Sequence, residues 1–172
     1  MAKIYEFKGR GIELPQTLQV AKVDVKDVAK AFLTIAPMTH KKLQKLSYYA
    51  YSWYYTLYGE KLFNNHFQAW VHGPVSPELY QEYKRFGWRE IDMVDELPGD
   101  FEQEPELISF IHEVYDSYGH LNGDQLEYLT HIEEPWKEAR GNLGDLDPCT
   151  NVIKDETILR YYQKVLENEQ QE

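Results

Sequence analysis

Residues 39–59 read THKKLQKLSYYAYSWYYTLYG and predict the helix around which the rest of the chain is organised. Thr39 is a preferred N-cap residue, and Gly59 suits the left-handed conformation that often follows the end of a helix. Between them, one stripe at helical spacing holds Leu43, Leu46, Tyr49, Ala50, Trp53 and Leu57. Further aromatic residues fall outside that stripe, which leaves too many apolar sides for a surface helix. We therefore expect the helix over 40–58 to be central and nearly buried.

The composition supports one compact domain with a large core. The chain has 172 residues and a mass of 20.4 kDa, and 42% of its residues are apolar. Its 14 Tyr, 4 Trp and 7 Phe argue against intrinsic disorder in spite of a net charge of -11. The single cysteine, Cys149, excludes an intramolecular disulfide and a thiolate-rich zinc site. No apolar run approaches the ~20 residues that span a bilayer, and the amino terminus lacks a signal-peptide core, so we expect a cytoplasmic protein with no membrane partner.

The flanking sequence predicts further helices, each bounded by its own cap or breaker residues. Asp24 is placed to cap a first helix, which must end before Pro37. The other predicted elements are a hairpin at about residues 62–71 turned at Asn64-Asn65, and helices from Pro77 to Gly87, from Pro105 to Tyr118, over 124–131, over 135–140 and from about Asp155. The predicted fold class is mainly α: a single compact helical domain over residues 24–168 with a small β-hairpin. Residues 1–23 are predicted as a leader able to form a short hairpin, and residues 169–172 as a frayed tail.

The charge is unevenly distributed along the chain. Residues 1–50 hold 9 Lys and Arg against 4 Asp and Glu, a net charge of +5, whereas residues 51–172 hold 9 against 25, a net charge of -16. Nucleic-acid binding needs clustered basic residues, so we expect no direct nucleic-acid partner. The stretch from Asp92 to Glu106 carries seven carboxylates and no basic residue. It is either a solvated loop or a surface complementary to a basic protein.

The residues that usually carry catalysis or bind metal show no recognisable pattern. The six histidines include no pair at the spacing of a helical zinc site, and the sequence has no H-E-x-x-H motif. Cys149 lies beside acidic residues with no base nearby, a setting that disfavours the nucleophilic thiolate. There is also no G-x-S-x-G motif and no glycine-rich phosphate loop. We therefore predict no catalytic residue, no metal site and no cofactor, and we expect that the protein is not an enzyme.

Three clusters of residues stand out because helical periodicity does not explain them. They are Pro37-Met38-Thr39 with Lys42–Leu46 and Tyr48–Ala50, Ala69-Trp70 with His72–Val75 and Leu79-Tyr80, and Leu129–His131 with Pro135-Trp136 and Ala139-Arg140. In this order and spacing they resemble the Panacea antitoxin domain family, which includes SocA-like proteins and phage-associated GepA-like proteins. The resemblance covers about residues 24–162.

The resemblance implies a helical fold and an antitoxin from a bacterial or prophage toxin–antitoxin system. Such a protein would neutralise its cognate toxin by direct protein–protein binding, and the acidic surface favours a toxin with a basic face. An alternative that the family also implies is a proteolytic adaptor that delivers the toxin to a cytoplasmic protease. A third hypothesis, an enzyme acting on a small ligand, would require His72, His131 and a carboxylate to converge in a deep cleft.

The candidate partner-binding or motif residues come from these clusters and from one further tryptophan. They are Trp70, His72, Gly73, Pro74, Val75, Tyr80, Trp88, Thr130, His131, Trp136 and Arg140. Trp70, Tyr80 and Trp88 are candidate binding anchors, with a place in the core as the alternative for Trp70. Gly73-Pro74 is expected to fix a backbone turn, and His131 to lie at a helix end beside exposed carbonyls. The spacing of Trp136 and Arg140 predicts a guanidinium lying against an indole.

Overall fold

The central helix begins and ends where the sequence predicts. In the computed structural model, which describes residues 23–171, Thr39 accepts a hydrogen bond at its side-chain oxygen from the backbone N–H of Lys42 (3.2 Å). At the other end, Gly59 adopts a φ of +69°. Most side chains from His40 to Tyr54 are buried. The prediction of a central, nearly buried helix is confirmed. The hairpin predicted within residues 1–23 lies outside the described residues.

The described residues form a mainly helical fold, as predicted. The helices are α1 (Val25–Leu33), α2 (His40–Tyr58), α3 (Pro77–Tyr83), which continues into a short 3-10 helix (Lys84–Phe86), α4 (Gly99–Glu102), α5 (Pro105–Tyr118), α6 (Gly123–Ile132), α7 (Glu134–Arg140) and α8 (Asp155–Gln170). The strands are β1 (Met38–Thr39), β2 (Gln68–Trp70), β3 (Gly73–Val75) and β4 (Glu90–Ile91). Helix α2 packs against α1, α3, α5, α6 and α8. In residues 23–171, none of the helices combines the length and hydropathy that a bilayer span requires.

A small hairpin is present, but the predicted position is wrong. Strands β2 and β3 pair antiparallel with Gln68 opposite Val75 and Trp70 opposite Gly73, so the turn lies at residues 71–72 and not at Asn64-Asn65. The earlier segment is held by tertiary contacts instead. Phe63 packs on Tyr51 of α2 with ring centroids 5.0 Å apart. The side chain of Asn65 accepts a hydrogen bond from the N–H of Val25 (3.2 Å), which fixes this segment as a loop against α1.

The acidic stretch contains structure that the sequence did not predict. Strand β4 pairs antiparallel with β1, with Met38 opposite Ile91, and ties this stretch to the start of α2. Helix α4 follows, anchored by the fully buried Phe101. The carboxylates in the first part of the stretch are exposed: Asp92, Asp95, Glu96, Asp100 and Glu102. The segment from β4 to α4 is therefore an acidic surface that is held in place by two buried apolar residues, Ile91 and Phe101.

Within residues 23–171 the core contains one buried carboxyl group, that of Glu133 at the junction of α6 and α7. The hydroxyl groups of Tyr49 and Tyr162 both donate hydrogen bonds to it. Burial raises the pKa of Glu133 to about 7, although these hydrogen bonds act in the opposite direction. Next to this network, the indole N–H of Trp53 donates to the hydroxyl of Tyr118 (2.6 Å). Much of the aromatic content of the sequence is thus used in a core that is hydrogen-bonded as well as apolar.

Candidate functional site

Five of the predicted site residues line a single cleft between α2, the hairpin and α3. The cleft has a volume of about 390 Å³, within the range of small-ligand sites. Its lining consists of aromatic, aliphatic and basic side chains with one amide and one glycine: His40, Lys41, Gln44, Lys45, Trp70, His72, Val75, Tyr80, Lys84, Gly87 and Trp88. No carboxylate is among them. The cleft therefore has a basic lining although the chain as a whole is acidic.

The three predicted aromatic anchors come together at this cleft. Trp70, at the end of β2, is half-buried, and its ring centroid lies 4.9 Å from that of Tyr80 on α3. Tyr80 is exposed, and Trp88 is 75% exposed, so neither ring belongs to the core. The ring of Trp88 lies 6.3 Å from that of His72 and 5.7 Å from Nζ of Lys41. The cleft thus has one half-buried indole at its wall and one exposed indole at its edge.

Lys45 lies beneath the hairpin and contributes a buried amino group to the cleft. Its side chain is 1% exposed, and Nζ donates a hydrogen bond to the backbone carbonyl of Pro74 (3.2 Å). Burial lowers the pKa of Lys45 to about 7, and the charge of Glu127 only partly offsets this. Sequence reasoning did not select Lys45 as a site residue. The signal that could have identified it is the position of a lysine within the most buried part of α2. Burying a charged side chain there costs free energy of folding, which points to a functional role.

The conformation of Gly73 makes room for this lysine. Gly73 has a φ of +100°, a backbone conformation that residues with a Cβ atom rarely adopt. A Cβ atom at this position would lie 2.6 Å from Cε of Lys45 and 2.8 Å from Oγ1 of Thr130. Gly73, Pro74 and Thr130 therefore act together: they shape the hairpin so that Lys45 fits under it.

Gln44 and His40 form the remaining polar part of the cleft. The side-chain amide of Gln44 accepts a hydrogen bond from the N–H of Ser76 (2.8 Å) and donates one to the carbonyl of the same residue (3.1 Å). This pair fixes the backbone that leads from β3 into α3. The ring of His40 lies 3.1 Å from the Gln44 amide nitrogen. Burial lowers the pKa of His40 to about 4, with a smaller effect from Lys45, so the ring is neutral near pH 7.

The two histidines that the sequence singled out both face Glu127 of α6, beside the cleft. Nδ1 of His72 lies 3.0 Å from the carboxylate of Glu127, and Nε2 of His131 lies 4.0 Å from it. Lys41 also pairs with Glu127, and it bonds Asp124 at 2.7 Å. Burial acts to raise the pKa of Glu127, but the hydrogen bonds from Lys41 and His72 outweigh it and the pKa is lowered. Of the two histidines, only His72 lines the cleft, so the convergence that an enzyme would require lies next to the cleft and not in it.

Trp136 and Arg140 of α7 support the hairpin from behind. The indole N–H of Trp136 donates to the carbonyl of Trp70 (2.8 Å), and Nη1 of Arg140 donates to the carbonyl of Ala69 (2.9 Å). The guanidinium lies 4.7 Å from the centre of the indole ring, as predicted. The ring of His131 stacks on the same indole, with ring centroids 4.0 Å apart, and its other contacts are with Glu127 and with the backbone of Val71. These residues position the cleft wall without lining it.

The described residues contain no group of three or more His, Cys, Asp or Glu side chains placed to hold a metal ion.

Comparison with known proteins identifies similarity at the level of a domain and of one curated relative. The family model "Antitoxin SocA-like, Panacea domain" matches residues 43–137, which include most of α2, the hairpin, α3, α4, α5 and α6. The protein Antitoxin SocA from Caulobacter vibrioides (strain NA1000 / CB15N) is 31% identical over 165 residues, covering 82% of this chain and 86% of the relative. No solved structure matches the chain.

Proposed function

Because the chain belongs to the SocA-like Panacea antitoxin family, we propose that it neutralises a cognate toxin by direct binding and that the aromatic cleft contacts this toxin. The observation that carries the proposal is the convergence of Trp70, Tyr80 and Trp88 at one open cleft. Tryptophan and tyrosine are enriched among residues that dominate binding energy, because they remove a large apolar area from water and retain a polar group. An exposed indole such as that of Trp88 has little role in stability and is available for such contact.

The way in which the cleft is supported is consistent with a binding surface that is formed in advance. Trp136 and Arg140 hold the strand that carries Trp70, and Gln44 holds the start of α3, which carries Tyr80. A wall that is already ordered loses little conformational entropy when a partner binds. The cleft is therefore suited to a tight and specific complex.

The partner that we propose has a mainly basic face. Asp92, the first exposed carboxylate of the stretch from Asp92 to Glu106, follows Trp88 by four residues across β4. Complementary charges would orient the two proteins during encounter and increase the association rate more than they tighten the complex. The aromatic cleft would then account for the lifetime of the complex.

The test is co-expression with the product of the neighbouring open reading frame. We expect that this product alone arrests growth, that the wild-type chain relieves the arrest, and that the two proteins copurify as a stoichiometric complex. Trp88→Ala should weaken the complex by roughly tenfold or more without lowering thermal stability. The matched control is Leu146→Ala, which truncates another exposed apolar side chain that does not line the cleft.

Two outcomes would contradict neutralisation by occupancy. If the toxin disappears from cells only while a cytoplasmic protease is present, the chain acts as a proteolytic adaptor. If growth is rescued far below equimolar antitoxin in a strain without cytoplasmic proteases, the chain acts catalytically.

A further inference from the structure

The cleft combines apolar walls with a buried lysine that forms no ion pair with a carboxylate in residues 23–171. Three lysines line it, but they differ in their contacts. Lys41 is paired with Asp124 and Glu127, and Lys84 is exposed and donates a hydrogen bond to Gln81 (2.6 Å). Lys45 has no ion pair within residues 23–171, and its hydrogen bond to the Pro74 carbonyl uses one of its three donors. In its protonated form, Lys45 in this position favours an anionic ligand.

We propose that the cleft binds a carboxylate carried by an apolar segment of the protein partner, and that Lys45 recognises this carboxylate. This inference rests on the proposed function, since it concerns the same cleft and the same partner. Charge complementarity is the first argument, since the lining holds three lysines and no Asp or Glu in a chain with a net charge of -11. The second argument is the size and chemistry of the walls. A volume of about 390 Å³ bounded by Trp70, Val75 and Tyr80 accommodates a large side chain next to the carboxylate.

The charge available in the lining favours a carboxylate over a phosphate group. Lys41 is already paired with Asp124 and Glu127, which leaves Lys45 as the buried amino group of the lining. In its protonated form this group carries one positive charge, which matches the single charge of a carboxylate. This local preference is compatible with a partner that is basic overall, because the cleft would receive one acidic group while the surface around residues 92–106 meets the basic face. Lys45 would then be the residue that determines specificity within the interface.

The experiment uses the full chain and two probes that differ only in their charge, N-acetyl-phenylalanine and N-acetyl-phenylalaninamide. Binding is followed by NMR through the indole N–H signals of Trp70 and Trp88, with the buried Trp53 as internal reference. We expect the carboxylate probe to shift the signals of Trp70 and Trp88 and to bind at least about tenfold more tightly than the amide. Equal affinity of the two probes, or no shift with either, would overturn the proposal without any substitution being made.

A variant then assigns the preference to one residue. Lys45→Met removes the charge while filling a similar volume, and we expect the two probes to bind it with about equal affinity. Lys164→Met, which removes an exposed lysine of α8, should retain the preference. If Lys45→Met also retains it, Lys45 is not the recognising group.

Failure of this inference is distinguishable from failure of the proposed function. If the neighbouring gene product binds the wild-type chain and Lys45→Met with equal affinity, the carboxylate site is refuted while the antitoxin proposal stands. If that product binds neither protein, the antitoxin proposal fails, whereas the probe titration still decides whether the cleft recognises carboxylates.

Discussion

The buried carboxyl group of Glu133 should make stability depend on pH in a direction opposite to that of most acidic groups. Its pKa is about 7 in the folded protein against an ordinary value of 4.5, mainly because burial disfavours the charged form. The folded protein therefore holds a proton that the unfolded chain releases. Stability from this group is fully present below about pH 4.5 and is lost as the pH rises to about 7. A difference of about 2.5 pKa units corresponds to about 3 kcal/mol.

Glu133→Gln isolates this effect, because glutamine resembles the protonated acid and does not titrate. We compare the free energies of unfolding of the two proteins at each pH. The difference, Glu133→Gln minus wild type, should increase by about 3 kcal/mol between about pH 4 and about pH 8. The measurement is urea denaturation of both proteins at a series of pH values. Other groups titrate in both proteins and cancel in the difference.

Glu96→Gln is the control, because it removes a carboxylate from the exposed acidic stretch and leaves the buried network intact. Its difference from the wild type should not show this increase. A constant difference between Glu133→Gln and the wild type across the whole range would refute the reasoning. A difference that falls as the pH rises would show that the hydrogen bonds from Tyr49 and Tyr162 outweigh the cost of burial.

Three further predictions concern the core, the hairpin and the encounter with the partner. Trp53 is 1% exposed, so Trp53→Ala should lower the free energy of unfolding by about 3–5 kcal/mol in denaturant titration, and a loss below about 1 kcal/mol would show that the helix is not packed as described. Gly73→Ala should cost about 3 kcal/mol because it combines a φ of +100° with a clash against Lys45, whereas Gly59→Ala, with a φ of +69° and open space, should cost about 1 kcal/mol. Equal losses for the two glycine variants would contradict the clash. Finally, the association rate constant with the toxin should fall as salt is raised while the dissociation rate constant changes little, as stopped-flow or surface binding kinetics would measure; a salt effect confined to dissociation would exclude electrostatic steering.

Elements with local boundary signals were predictable from the sequence alone. Asp24 caps α1, Thr39 and Gly59 delimit α2, and Pro105 lies at the first position of α5, each as expected. These signals act within one helical turn, so they do not depend on the rest of the fold. The burial of α2 was equally predictable, because its aromatic residues leave too little polar surface to face water. The family resemblance followed from three clusters of residues, because their identity and their order can be read directly from the sequence.

The cleft could be predicted only in part, because its residues are brought together by packing. The sequence identified Trp70, Tyr80 and Trp88 separately, and the fold places them at one opening. Lys45 was missed because nothing local to α2 shows that a hairpin covers it. Burial, partners and charge state of a side chain depend on segments distant in sequence.

The hairpin shows most clearly what only the tertiary structure decided. Asn64-Asn65 is a suitable turn sequence, and the strands that form are nevertheless those at 68–70 and 73–75. Strands of three residues gain too little from their own pairing to fix a position, so contacts with other elements decide. Here these contacts are the hydrogen bonds from Trp136 and Arg140 and the space that Gly73 leaves for Lys45. The sequence by itself determined most of the helices, the central position of α2 and the family, since these depend on local caps, periodicity and motif order. The tertiary structure decided the hairpin and the cleft, because their energies come from long-range contacts.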